Sequence, residues 1–395
     1  MVNPTTSVPL DDRSFGRLRD KIGSISAARA GVSREPGHAL PLPEEVGFQL
    51  TNSCNLRCKS CFQWNETGFH RHMSTKSLSD DLDFDIIERV LAATRPVKSK
   101  VFLWGGEPLI YSQFDGLMKL LTDDPRWTIL STNGIGLDSK IDSILPASEN
   151  LACVVSLDGF EEDNDRIRGR NTFRRVMESV DLLLRLQREG RFRGAVTISC
   201  VISPLNFRRL VEFAEFFERM RVDSVYFVFP WYIPTASAER MDAFFTERFD
   251  WLLENNPELI ADRKASWHSY QFNFDPDQVE ALKEELRRLS SRKWDIRIRL
   301  QPPLADDEIV DFIDGSEKPA QGRTRCLSVA TRMNVMPDGR VTTCKLFPEF
   351  ATGTLKDHTF EDAWSGDNPT RTRAAISCGL MPICAKCVQL YLVGD

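Results

Sequence analysis

No apolar run in the 395-residue sequence reaches the roughly 20 residues a membrane-spanning helix needs, which leaves no helical membrane anchor to consider. The start, MVNPTTSVPLDDRSFGRLRDK, lacks the apolar core of an export signal, so a cytoplasmic location is expected. Basic excess is missing too. A formal charge of −6 gives no general attraction to phosphate backbones, and nucleic acid is not an expected partner. A disulfide framework is equally unexpected, because ten cysteines in a cytosolic chain of this size read as metal ligands. Their grouping agrees: three lie within Cys54–Cys61, five follow from Cys326 onward, and only Cys153 and Cys200 stand apart, in apolar runs that suit buried core thiols. What is present, 42% apolar and 27% charged residues, is ordinary for a soluble globular chain long enough for two domains or a large barrel with an appendage.

The stretch Thr51–Trp64, TNSCNLRCKSCFQW, organises the rest. Cys54, Cys58 and Cys61, spaced C-x3-C-x2-C, are too close to bridge one another without strain, and they read as soft ligands to one metal centre with an open position. An iron–sulfur cube fits the spacing. Zinc is the competing reading, with His70 or His72 as a fourth ligand.

Downstream, short apolar runs alternate with helical patterns. Strands are expected at Val46–Leu50, Lys100–Leu103, Trp127–Leu130, Ala152–Leu157, Ala195–Ile202 and Ser224–Phe229, with a further one at Ile296–Leu300. The spacing predicts helices at Phe84–Thr94, Phe114–Leu121, Ile141–Leu145, Phe173–Glu189, Phe207–Met220 and Ala236–Glu254. This repetition implies a parallel sheet covered by helices, curled into an open barrel, with functional loops at the C-terminal strand ends. The polar motifs Gly105-Gly106-Glu107, Ser131-Thr132-Asn133-Gly134 and Ser156-Leu157-Asp158-Gly159 fall at such ends. Near the C-terminus, Asn334–Thr343 has the look of a β-hairpin turning at Pro337-Asp338-Gly339. It brings Cys326 and Cys344 together, and Cys384-x2-Cys387 supplies a second pair; four thiolates so placed suit zinc or a 4Fe–4S cluster equally.

The cysteine triad directly after an apolar strand resembles the signature of radical S-adenosylmethionine (SAM) enzymes. The resemblance implies a partial (β/α)6 barrel in which Cys54, Cys58 and Cys61 hold a 4Fe–4S cluster. The fourth iron would chelate the amino and carboxylate groups of SAM, and one electron would cleave SAM to methionine and a 5′-deoxyadenosyl radical that abstracts a substrate hydrogen. One departure is visible: the residue before the third cysteine, often aromatic in the family, is Ser60, and Phe62 follows the cysteine instead. Gly105-Gly106-Glu107 is similar to the family's GGE motif, which implies backbone contact with the SAM amino group. Asn133 sits in a TNG similar to one that lies near SAM. Ser156 and a downstream arginine match a segment that holds the ribose and carboxylate; Arg168 is the expected carboxylate contact, for bidentate geometry, with Arg166 as the alternative. The C-terminal set resembles the SPASM and twitch extensions, implying one auxiliary 4Fe–4S cluster on Cys326, Cys344, Cys384 and Cys387, with Cys378 a substitute ligand or a spare thiol.

The expected organisation is an N-terminal extension, partly disordered, over 1–44; a core barrel over 45–235; a helical bridging and substrate-capping segment with the last strand over 236–310; and a twitch/SPASM-like domain over 311–395. The extension is too short for the winged-helix peptide-binding domain of some relatives. With the low auxiliary cysteine count, this favours net oxidation of a small sugar- or aminocyclitol-like substrate. Maturation of a ribosomally made peptide is the alternative, and a zinc-bound scaffold the non-enzymatic one. His268 and Tyr232 are the candidate catalytic side chains, and a flavodoxin or ferredoxin the expected electron donor.

Overall fold

The computed structural model describes residues 3–255 and 265–395; residues 256–264, within the expected bridging segment, lie outside the described residues. Six strands, β1 (Glu45–Gln49), β2 (Lys100–Trp104), β3 (Thr128–Thr132), β4 (Leu151–Ser156), β5 (Ala195–Val201) and β6 (Ser224–Val228), pair in chain order, each parallel to the next. Helices cover one face. In Thr172–Arg188 the spacing of Val176, Val180, Leu183 and Leu184 makes one apolar stripe, and all four are buried. Side chains alternate along the strands: Cys153 and Val155 pack under the helices, whereas Val154 and Ser156 are half-buried on the inner face. Cys153 and Cys200 are fully buried core thiols, as expected.

The sheet does not stop at six strands. β7 (Arg297–Gln301) adds in parallel to β6, so the expected last strand belongs to the core sheet. On the other edge β8 (Arg332–Val335) pairs in parallel with β1, and β9 (Arg340–Thr342) and β10 (Ala351–Thr354) continue antiparallel. The order is β10-β9-β8-β1-β2-β3-β4-β5-β6-β7, one open ten-stranded sheet. The expected hairpin is present, but it joins the core through the β1 edge, whose unpaired backbone groups it satisfies. Side chains lock the junction. Arg332 of β8 pairs with Glu45 of β1 and with Gln389, and Lys100 of β2 lies 2.7 Å from Glu45. Burial pushes the Glu45 carboxyl up, but these two cations more than offset it and hold it at about 2.

The N-terminal extension carries a helix that is tied to the rest of the fold. Residues Asp12–Arg34 form a 23-residue helix running past the N-terminal ends of the strands. Arg13 pairs with Glu149 at 2.6 Å, Arg17 lies 4.1 Å over the Trp127 ring, and Arg29 pairs with Asp395 at 2.8 Å. Ala28 and Val32 pack on Leu327 and Ala330. The anchors are mostly ionic or made by small residues, which hydrophobic periodicity does not reveal.

Candidate metal and cofactor centre

The loop after β1 is fastened before it reaches its cysteines. The amides of Gly106 and Glu107 donate to the carbonyls of Thr51 and Ser53, at 2.8 and 2.9 Å. This requires glycine: a Cβ on Gly106 would lie 1.9 Å from the Ser53 oxygen, and one on Gly105, at φ +152°, 2.6 Å from the Thr51 oxygen. With those N–H groups used, the segment's carbonyl oxygens are the groups suited to an amino donor. The Glu107 side chain points inward and accepts from Thr132 Oγ1 (2.6 Å), Asn133 N (2.7 Å) and Leu109 N (3.0 Å). Burial nevertheless pushes its carboxyl up to about 7. Asn133 donates through Nδ2 to Asn55 Oδ1 at 2.7 Å, so it braces the cysteine loop. Arg57, which sequence reasoning passed over, donates to the carbonyls of Cys54 and Leu56 and stacks 3.6 Å over Trp64.

Arg168 lies beside Cys58 and Cys61, and its guanidinium is paired at 2.9 Å with Asp158, a carboxylate with no exposure. Burial pulls the guanidinium down, but Asp158 and then Cys58 more than offset this and raise its pKa. Asp158 is itself pinned, accepting from Val201 N at 2.8 Å. Sequence reasoning placed Asp158 in a strand-end motif but gave it no role; its position two residues past the end of β4 was the available signal. Ser156 is half-buried on the inner face at the end of β4. Phe62 turns away from this side, stacking on Tyr270 with ring centroids 4.8 Å apart.

The first three cysteines share one electrostatic environment, in which each thiol's neighbours include at least one of the others. Burial pushes Cys54 to about 11 and Cys58 to about 12, and raises Cys61. In the second set Cys344 senses Cys387, Cys384 and Cys326, and Cys326 is pushed to about 12 by burial. Cys378 is exposed. Thiols so buried become thiolates only beside a compensating cation, which iron supplies. Among the described residues no three His, Cys, Asp or Glu side chains close on one point as around a single metal ion. A cluster takes each thiolate on a different iron and does not require that. The donor chemistry and the glycine cradle therefore fit a cluster and a ligand with an amino group.

A cleft opens between this loop and the C-terminal hairpin, lined among others by Phe62, Trp104, Asn334, Lys345 and Glu349. The Lys345 ammonium sits 3.6 Å over the Phe102 ring, and burial lowers its pKa to about 7. Glu349 accepts from Ser266 N (2.6 Å) and Ser266 Oγ (2.7 Å). His268 and Tyr232 do not line this cleft. His268 is tied to Asp242 at 2.9 Å, and Tyr232 lies against Gly315.

Residues 48–217 match the Radical SAM superfamily model, and residues 326–388 match the SPASM iron-sulfur cluster-binding domain. The chain is a radical SAM protein with a C-terminal SPASM domain. Its cofactors are accordingly SAM and 4Fe–4S clusters, an auxiliary one included. The chain is 30% identical over 176 residues to mycofactocin maturase MftC of Mycolicibacterium smegmatis, a match covering 44% of this chain and 42% of that protein. It is 24% identical to AdoMet-dependent heme synthase of Methanosarcina barkeri across 82% of both. The fold resembles Streptococcus suis SuiB bound to precursor peptide SuiA, with TM-score 0.58 and 14% identity, covering 94% of this chain and 74% of that one. Among the described residues no helix is long and apolar enough to cross a membrane.

Proposed function

We propose that this radical SAM protein is a peptide maturase, which modifies a residue of a ribosomally made precursor, and that the modification is an oxidation. The observation that carries this reading is the cleft, which opens between the cysteine loop and the SPASM hairpin and so offers a segment of substrate a place beside that loop. It is supported by the maturase name of the 30%-identical relative and by the SuiB fold, which was solved with a precursor peptide. The sugar or aminocyclitol substrate expected from sequence has no such support. The heme synthase, matched over more of its length, makes a tetrapyrrole the second reading.

In this proposal Cys54, Cys58 and Cys61 hold the SAM-binding cluster, and Cys326, Cys344, Cys384 and Cys387 the auxiliary one. When bound, the first cluster and SAM supply a radical that takes a hydrogen atom from the substrate. The chain's residues do the rest. The Gly105–Glu107 carbonyls accept from the SAM amino group and Arg168, held by Asp158, takes its carboxylate. Phe62, backed by the rings of Tyr270 and Trp231, walls the cleft against water. A small acidic electron carrier, flavodoxin or ferredoxin, donates the electron. The test is anaerobic incubation of the iron-reconstituted protein with dithionite, SAM and a precursor peptide encoded beside its gene. Peptide-dependent 5′-deoxyadenosine and a 2-Da loss or cross-link in the peptide are expected, 2 Da being about two hydrogens in a net two-electron oxidation. Turnover of a tetrapyrrole or aminocyclitol with the peptide unchanged overturns the reading.

A further inference from the structure

We infer that Lys345 is the charge that poises the auxiliary centre: its ammonium, held beside the second cysteine set with no carboxylate to cancel it, raises that centre's reduction potential so that it accepts an electron. This rests on the assignment of Cys326, Cys344, Cys384 and Cys387 as the ligands of that centre, and it gives the proposed oxidation its direction.

Lys345 directly follows Cys344 and is half-buried in the wall of the cleft. Its ammonium sits 3.6 Å over the Phe102 ring and 5.4 Å from the centre of the Trp104 ring. Ring faces hold an ammonium through their quadrupole and leave its net charge intact, whereas a carboxylate would cancel it. Among the described residues no carboxylate pairs with Lys345. The carboxylate that acts on it, Glu45, is already shared by Arg332 and by Lys100 at 2.7 Å. One carboxylate thus serves three cations, an excess of positive charge that a desolvated site carries only beside other anions. The anions at hand are the thiolates: Lys345 and Arg332 both act on Cys387, and Arg332 acts on Cys326.

Two contrasts single out Lys345. Lys386 lies between Cys384 and Cys387 in sequence, but its ammonium turns away and donates to the carbonyls of Asp311 and Phe312. At the first cysteine set the buried Arg168 is cancelled by Asp158 at 2.9 Å, and Arg57 is exposed to screening by water and salt. A centre that gains an electron gains negative charge, so a fixed cation nearby stabilises its reduced form and raises its potential. The change is one electron taken up within the iron–sulfur core, with no bond made or broken there. That electron comes from the substrate radical left by hydrogen abstraction, which releases a proton to water at the same time. The first centre, whose buried cation is cancelled, keeps the lower potential needed to give an electron to SAM.

The experiment is a reductive titration of the iron-reconstituted full chain, followed by electron paramagnetic resonance without substrate. The signal that SAM leaves unchanged belongs to the auxiliary centre, because SAM binds the other. Lys345→Met should lower the auxiliary midpoint so that the oxidised-to-reduced ratio at a fixed potential rises about tenfold, or about 59 mV for one electron. The other midpoint should move by less than about twofold on the same scale, with iron kept at about eight per chain by ligand counting. Lys345→Arg, whose charge is permanent, should return the auxiliary midpoint toward the native value. An auxiliary midpoint unmoved in Lys345→Met, both midpoints lowered alike, or Lys345→Arg as low as Lys345→Met overturns the inference. Should Lys345→Met lose its auxiliary iron, Lys345→Gln is measured in its place. Iron lost from both neutral variants but kept in Lys345→Arg supports a charge requirement beside the centre; iron lost from all three overturns it. The titration uses no peptide, so its failure is distinct from failure of the maturase reading, which the turnover assay reads separately.

Discussion

Arg168 and Asp158 give the sharpest prediction, because the structure assigns them unequal parts. Arg168 is 10% exposed and Asp158 not at all, and their atoms lie 2.9 Å apart. If Arg168 takes the SAM carboxylate, Arg168→Met removes one partner of a desolvated charge pair, which costs about 2–5 kcal/mol. That is a loss of SAM affinity of about 30-fold or more at 1.4 kcal/mol per tenfold. Asp158→Asn is milder. Its carboxamide oxygen still accepts from Val201 N, but the guanidinium is no longer held in place. Re-ordering it on binding costs about 0.5–1.5 kcal/mol, or about 2- to 12-fold. The assay is equilibrium dialysis of labelled SAM against each cluster-loaded protein without reductant, with iron content measured alongside. Arg168→Met binding SAM within about twofold of the native protein, a difference of roughly 0.4 kcal/mol, would refute the carboxylate assignment. Asp158→Asn as damaging as Arg168→Met, with iron retained, would refute its role as a positioning group.

Three further outcomes follow from the same geometry. Gly106→Ala places a methyl group 1.9 Å from the Ser53 carbonyl oxygen, on backbone that carries the cysteine loop, so iron content should fall and SAM cleavage be lost; a normal iron content with normal cleavage would contradict this. Cys344→Ala should reduce bound iron from about eight to about four per chain while Cys378→Ala leaves it unchanged, by ligand counting, and metal analysis decides. Glu107, raised by burial to about 7 from 4.5, binds a proton in the folded chain that it releases when unfolded between those pH values. Its penalty is therefore absent below about pH 4.5 and complete above about 7, amounting to about 3 kcal/mol. Thermal midpoints across pH 5–7.5 should fall more steeply for the native protein than for Glu107→Gln, whatever the offset between them; parallel profiles would contradict it.

Most of the architecture was legible because it rests on periodicity. Seven strands and their helices are long apolar patterns, and the hairpin announced itself through Pro337-Asp338-Gly339. The cysteine sets were legible because few other chemistries require that spacing. What stayed hidden depends on pairings across the chain. Asp158 reads as a turn residue until Arg168 is seen ten residues away in sequence and 2.9 Å away in space. Glu45, Lys100 and Arg332 are three unremarkable charges that meet only when β8 docks on β1. His268 drew attention as a lone histidine, and the structure ties it to Asp242 outside the cleft.

The continuous sheet bears on why two sulfur centres share one chain. A domain joined by a linker would let their separation vary, and electron transfer between them would vary with it. Here β8 is hydrogen-bonded to β1, the strand that feeds the first cysteine loop, and its hairpin leads into Cys344. Tyr270 adds a second tie. Its ring stacks on Phe62, one residue after Cys61, and its hydroxyl donates at 3.1 Å to Leu346, two residues after Cys344. Thiols of both sets, Cys387 and Cys344 from one and Cys61 from the other, act on its hydroxyl. Backbone pairing on one side and an aromatic brace on the other fix the gap between the centres. A substrate between them is then held at a set distance from both, which is the geometry required if one centre begins an oxidation and the other receives its electron.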